Sequence, residues 1–89
     1  MPPDDMKARL AREPAQVECA ICRHRQWLSA PQGRCDQCGS EITLFERRDE
    51  AERSLEALVR EGRVAYLRET PGGLYAVVAN RLFRRRTES

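Results

Sequence analysis

Long apolar runs are missing from this sequence of 89 residues, and so is a strong excess of charge of one sign. No stretch approaches the roughly 20 consecutive apolar residues that a membrane-spanning helix needs, so we expect no membrane span. The N-terminal segment 1–7 also lacks the apolar core of a signal peptide, which favours a cytoplasmic location. Lys and Arg number 16 and Asp and Glu 14, and a net charge of +2 argues against a general binder of polyanions.

Groups that perform catalysis are equally scarce. The chain has one histidine, His24, and its 4 cysteines all fall in one array. No glycine-rich loop has the spacing that cradles a phosphate. These absences predict a protein that is not an enzyme. We expect His24 to be an exposed neighbour of the cysteines, because four well-spaced thiols leave no metal position for it.

The cysteines are the most informative feature that is present. They form a C-x2-C-x12-C-x2-C array of Cys19, Cys22, Cys35 and Cys38. Two such pairs can fold back on each other and supply four thiolates to one tetrahedral Zn²⁺. The sequence therefore predicts one zinc ion per chain in a closed structural site. Buried free thiols, two disulfides, a redox dithiol and a rubredoxin-like iron centre are the alternatives.

The segment 17–46 resembles a zinc ribbon, in which two cysteine knuckles are carried on β-hairpins. The resemblance rests on Cys19-Ala-Ile-Cys22 and on Cys35-Asp-Gln-Cys38-Gly39. It departs from the pattern at Arg23, which stands where glycine is common. The superfamily includes transcription factors, ribosomal proteins, polymerase subunits and enzyme appendages. The resemblance thus implies a fold and a metal but no single function.

The second half of the chain predicts a helix followed by a β-hairpin. Residues 48–62 carry one apolar stripe at helical spacing, and residues 63–79 predict two strands joined by a turn. The Pro71-Gly72 pair is typical of the centre of a type II turn. The predicted fold class is small α+β, a four-cysteine zinc ribbon joined to a helix plus antiparallel β-hairpin lobe.

The predicted organisation has four parts. These are a lead-in segment or short helix over 1–16, the zinc ribbon over 17–46, the helix and hairpin lobe over 47–84 with a third short strand at 82–84, and a basic frayed tail over 85–89. Trp27 with Phe45 and Leu55 with Leu58 form separate apolar sets. We therefore expect Cys35→Ser to unfold the ribbon and to leave much of the lobe folded.

Two basic clusters are candidate nucleic-acid contacts. Basic residues beside an aromatic ring can hold a phosphate and stack a base. The candidates are Arg23, Arg25, Trp27 and Arg34 in the ribbon, and Arg84, Arg85 and Arg86 at the C-terminus. In the alternative, Trp27 is the core residue of its hairpin and the arginines are solvated.

The uncharged run 74–79 is a candidate partner surface. One helix covers one side of a strand, so we expect Tyr75, Val77 and Val78 to meet a protein partner or a second copy of the chain. This favours a non-enzymatic zinc-ribbon adaptor or regulatory protein that docks on a larger protein or nucleoprotein assembly. A direct nucleic-acid-binding protein, such as a transcription regulator, is the alternative.

Overall fold

The structure, a computed structural model, describes residues 5–80. Within them lie two helices and two antiparallel sheets, which confirms the mixed α+β class. The elements are α1 (Asp5–Arg12), β1 (Ala15–Glu18), β2 (Arg25–Leu28), β3 (Gln32–Arg34), β4 (Glu41–Phe45), α2 (Arg48–Arg60), β5 (Ala65–Glu69) and β6 (Tyr75–Ala79). The predicted strand at 82–84 and the basic residues Arg84, Arg85 and Arg86 lie outside the described residues. None of the described helices is long and apolar enough to cross a membrane.

The ribbon and the second half of the chain share one sheet. Strands β1 and β2 form a two-stranded hairpin, and the four-stranded sheet has the order β3-β4-β6-β5. Strand β4 follows the second cysteine pair, yet it pairs with β6 from Glu41 opposite Ala79 to Phe45 opposite Tyr75. Backbone hydrogen bonds therefore join the predicted ribbon segment to the second half of the chain along all of β4.

The core is aliphatic and spans both segments. Its buried cluster joins residues of α1 and the β1–β2 hairpin to residues of β4 and β6, namely Leu10, Val17, Cys19, Leu28, Cys35, Ile42, Leu44, Leu74, Ala76 and Val78. Helix α2 packs against β4, β5 and β6 through residues that include the buried Ala51. Val77 and Ala79 alternate away from the cluster and are also buried, so they lie on the sheet face that α2 covers.

Strand β6 lies at the centre of this arrangement. It has a paired strand on each edge and a covered face on each side. Val77 is 1% exposed and Val78 is 0% exposed, while Tyr75 is half-buried. Val77 and Val78 are therefore covered within the described residues, and a partner contact at these positions stays a prediction. The β1–β2 hairpin and α1 supply the second cover that a lone helix lacks.

Trp27 is not a core residue, contrary to one of the two interpretations of the sequence. It is 65% exposed, whereas its neighbour Leu28 is buried. Alternation along β2 allows one of the two side chains to face inward. A Cβ atom at Gly33 would lie 2.7 Å from the Leu28 Cδ2 atom. The missing side chain at Gly33 thus makes the space that Leu28 fills, and Trp27 is left on the outer face.

Helix α2 ends in a motif that positions a buried arginine. Gly62 has φ 92°, its N–H bonds the Val59 carbonyl, and the Arg63 N–H bonds the Leu58 carbonyl. This is a Schellman ending, for which a glycine is favoured at the left-handed position. Arg63 is 8% exposed, donates to the Asn80 carbonyl and pairs with Glu41 at 2.9 Å. It therefore ties the end of α2 to β4 and to the end of β6.

The turn between β5 and β6 differs from the predicted type II turn. The positive φ of 89° belongs to Gly73 and not to Gly72. The Gly73 N–H bonds the Thr70 carbonyl, and the Thr70 N–H bonds the Leu74 carbonyl. This is a three-residue loop in which a tight turn is followed by a left-handed glycine. Because Gly72 and Gly73 are adjacent, the sequence is compatible with a positive φ at either position.

Candidate metal centre

The two cysteine knuckles have the same backbone geometry. In the first, the Arg23 N–H bonds the Cys19 carbonyl at 2.8 Å and the Cys19 N–H bonds the His24 carbonyl at 2.8 Å. In the second, the Gly39 N–H donates to the Cys35 carbonyl at 2.9 Å and the Cys35 N–H donates to the Ser40 carbonyl at 2.8 Å. Each knuckle is thus a closed turn at the end of a hairpin, and the two turns place their sulfurs together.

The four sulfurs are arranged as metal ligands. Cys19 Sγ lies 3.6 Å from Cys38 Sγ, Cys22 Sγ lies 3.5 Å from Cys35 Sγ, and all four sulfurs lie within 4.8 Å of one another. A tetrahedral site with metal–sulfur bonds of about 2.3 Å has sulfur–sulfur edges of about 3.8 Å. A disulfide needs a separation of about 2.05 Å, so none of these sulfurs is bonded to another. The cluster is compatible with a zinc ribbon, and the predicted disulfide alternative is excluded for this arrangement.

Two of the cysteine sulfurs have hydrogen-bonding partners within their own knuckle. The Gln37 N–H reaches Cys35 Sγ at 3.4 Å, and the Ser40 hydroxyl lies 3.0 Å from Cys38 Sγ. Such contacts fix the direction of a thiolate and stabilise its charge. Ser40 was not predicted from the sequence, although a hydroxyl two residues after a ligand is a usable signal.

The four thiols are electrostatically interdependent. The hydroxyl and the backbone of Ser40 lower the pKa of Cys38 to about 6. A backbone hydrogen bond at His24 favours the thiolate of Cys22, but burial and the other three thiols outweigh it and raise the pKa of Cys22 to about 12. Thiolates this close repel one another, so they ionise together only when a cation lies among them. The donor set therefore fits a soft divalent metal.

Gln26 connects the two knuckles, a role that sequence reasoning missed. Its side-chain N–H donates to the Arg34 carbonyl at 2.9 Å, and its side-chain oxygen accepts the Asp36 N–H at 2.8 Å. One amide thus bridges the β1–β2 hairpin and the loop that carries Cys35. No spacing rule marks such a residue, because both of its partners are backbone groups of a distant segment.

The predicted basic residues fall into two groups. Arg25 and Trp27 share the outer face of the β1–β2 hairpin, opposite Glu18 and Gln16 respectively. Arg23 lies at the start of that face, and both arginines approach Glu18, at 3.9 and 3.8 Å. Arg34 lies on β3 opposite Glu41, in the other sheet. The structure therefore places Arg23, Arg25 and Trp27 on one hairpin, and Arg34 lies on a strand of the other sheet whose backbone Gln26 holds beside β2.

Arg23 has a left-handed backbone, with φ 70°. The corresponding residue of the second knuckle is Gly39, with φ 78°. A residue with a Cβ atom loses about 1–2 kcal/mol in this conformation, and glycine does not. Arginine in place of the glycine that is common in zinc ribbons therefore lowers the stability of the first knuckle's backbone. His24 beside it is half-buried and is not part of the metal-binding group.

Comparison with protein-family models, with curated proteins and with solved structures finds no significant match for this chain.

Proposed function

We propose that the four cysteines bind one Zn²⁺ and that this metal has a structural role. The proposal is supported by four mutually close sulfurs, two of them in the apolar core, and by a donor set with no fifth ligand among the described residues. A closed four-thiolate site of this kind holds zinc without an open position for chemistry. Four thiolates also suit iron, which is the competing metal for this site.

Elemental analysis of the purified chain tests the metal. We expect one zinc per chain and no titratable thiols until a chelator is added. Iron as the native metal, with the colour of a ferric thiolate centre, would overturn the assignment. So would thiols that react freely while the metal is bound.

We further propose that the chain is a non-enzymatic module that binds single-stranded nucleic acid on the outer face of the β1–β2 hairpin. The observation that carries this proposal is the exposure of Trp27, at 65%. A tryptophan is costly to leave in water, because it is one of the largest apolar side chains. Here it projects from a strand whose inward position is taken by Leu28, so folding does not require it.

The surroundings of Trp27 suit a nucleic acid. Arg25 is two residues along the same strand face, and Arg23 follows at the knuckle. A base stacks on an exposed indole, and neighbouring guanidiniums hold the phosphates on either side. The ion pairs of both arginines with Glu18 are 3.8–3.9 Å long and solvent-exposed. Such pairs contribute little, so the arginines remain available to an anion.

Intrinsic fluorescence tests this proposal directly, because the chain has 1 tryptophan. We expect a single-stranded oligonucleotide to quench Trp27, with an affinity that falls as salt is raised. Trp27→Ala is expected to weaken binding by about 1–3 kcal/mol, measured by the anisotropy of a labelled oligonucleotide. Val59→Ala on α2 is the control, since Val59 is also exposed but lies on a different face. Equal affinities of the two variants would contradict the proposal.

A protein partner is the second candidate, and the same residues support it. Tryptophan and arginine are the residues most enriched where protein interfaces gain their energy. Other large apolar side chains that are exposed within residues 5–80 are Ile21, Val59, Val64 and Tyr66. An apolar protein contact depends weakly on salt, whereas nucleic-acid binding depends on it steeply. A pull-down from native extract that loses its partners on nuclease treatment would favour nucleic acid, and one that keeps them would favour the adaptor.

A further inference from the structure

A cleft of about 670 Å³ adjoins the proposed nucleic-acid face. It lies between β1 with the first knuckle on one side and the end of β5 with the following turn on the other. Its lining includes Arg23 and Arg25 on the first side and Arg68, Glu69 and Thr70 on the second. Arg68 belongs to the part of the chain that the sequence assigned to a separate lobe. The shared sheet is what brings it opposite the knuckle.

The cleft extends to the residue that pairs with Trp27. Gln16 lines the cleft and lies directly opposite Trp27 in the β1–β2 pairing. Directly opposed residues of an antiparallel pair have Cβ atoms about 5 Å apart. Glu18 and Arg25, which form the next pair on that face, line the cleft as well. A nucleic-acid strand with one base stacked on Trp27 therefore has the cleft within reach of an adjacent phosphate.

The strained backbone of Arg23 points to a use for its side chain. The two knuckles have the same hydrogen bonds and the same left-handed position, and the second uses glycine there. Nothing in the first knuckle's backbone requires an arginine, and its one ion pair within the described chain is the long, exposed contact with Glu18. Strain that the fold does not need is characteristic of binding sites.

We propose that this cleft holds a backbone phosphate of the strand whose base stacks on Trp27, between Arg23 and Arg25 on one side and Arg68 on the other. This inference rests on the proposed nucleic-acid function and adds the path that the strand takes. Guanidinium groups fit phosphate oxygens through paired N–H donors, and approach from two sides fixes the phosphate in the cleft. Glu18 competes with the phosphate for Arg23 and Arg25.

Two variants test the path on the full zinc-loaded chain. Arg23→Gly removes the side chain and relaxes the backbone, so zinc content and melting temperature should be unchanged or higher. Arg68→Gln removes the charge from the opposite side. Each variant is expected to lower the affinity for a single-stranded oligonucleotide by about fivefold. Each should also reduce the slope of log K against log salt by about 0.7, the loss of one phosphate contact on a single strand.

Arg60→Gln on α2 is the matched control, because it makes the same change of charge on the other face of the sheet. Glu18→Gln removes the competing carboxylate and is expected to raise the affinity by up to about fivefold. If Arg68→Gln and Arg23→Gly behave like Arg60→Gln while Trp27→Ala still weakens binding, the cleft proposal is overturned and the stacking face stands. If the native chain binds no oligonucleotide, the proposed function fails and the cleft proposal fails with it.

Discussion

Removal of the proposed zinc ion is expected to unfold all of the described residues and not only the ribbon segment. Cys19 and Cys35 are 0% and 3% exposed and belong to the same buried cluster as Leu44, Leu74 and Val78. A four-thiolate zinc site in a small peptide supplies on the order of 10 kcal/mol of apparent folding free energy at neutral pH. That is as large as the whole stability of a typical domain, so the remaining contacts cannot compensate for its loss.

Amide hydrogen exchange on Cys35→Ser, and on the native chain with a chelator, measures this effect. We expect protection to be lost together in β1–β4 and in α2, β5 and β6, because β4 is hydrogen-bonded to β6 along its length. Gln37→Ser is the control on the same knuckle, where the backbone N–H that reaches Cys35 is retained. Persistent protection of β5 and β6 in Cys35→Ser would contradict a single cooperative unit and would restore the two-lobe interpretation of the sequence.

Val77→Glu and Val78→Glu are both expected to abolish the native fold. Their side chains point to opposite faces of β6, and they are 1% and 0% exposed. Val78 lies in the cluster with the β1–β2 hairpin, and Val77 lies on the face under α2. A carboxyl group buried at either place loses its hydration without an ion partner, at a cost of several kcal/mol. Such a cost is a large share of the stability of an 89-residue chain.

Chemical denaturation of the zinc-loaded variants, followed by circular dichroism, gives the comparison. Val64→Glu is the control, since Val64 is a β-branched residue that is 45% exposed just before β5. It should fold with nearly the native midpoint. A stable, folded Val77→Glu or Val78→Glu would show that one face of β6 is open to a partner, as the sequence alone suggested.

Features that depend on residues close together in the chain were predictable from the sequence. The cysteine spacing predicts the ligand set, because each Cys-x-x-Cys turn closes within a few residues and directs its two sulfurs to the same side. The apolar stripe of α2 and the glycine that ends it follow from helical periodicity and from the left-handed C-terminal position. These local structures depend little on how the distant segments of the chain pack.

Features that depend on distant segments were decided by the tertiary structure. Pairing of β4 with β6 places strands of the two predicted segments in one sheet. The sequence does not predict this pairing, because many pairs of strands have the same alternation of apolar and polar residues. The same pairing buries Val77 and Val78 on two faces and carries Arg68 to the first knuckle. The outward position of Trp27 depends on the space that Gly33 leaves for Leu28. Volume and strand order, which are set only when the sheets pack, determine which apolar residues become core and which become surface.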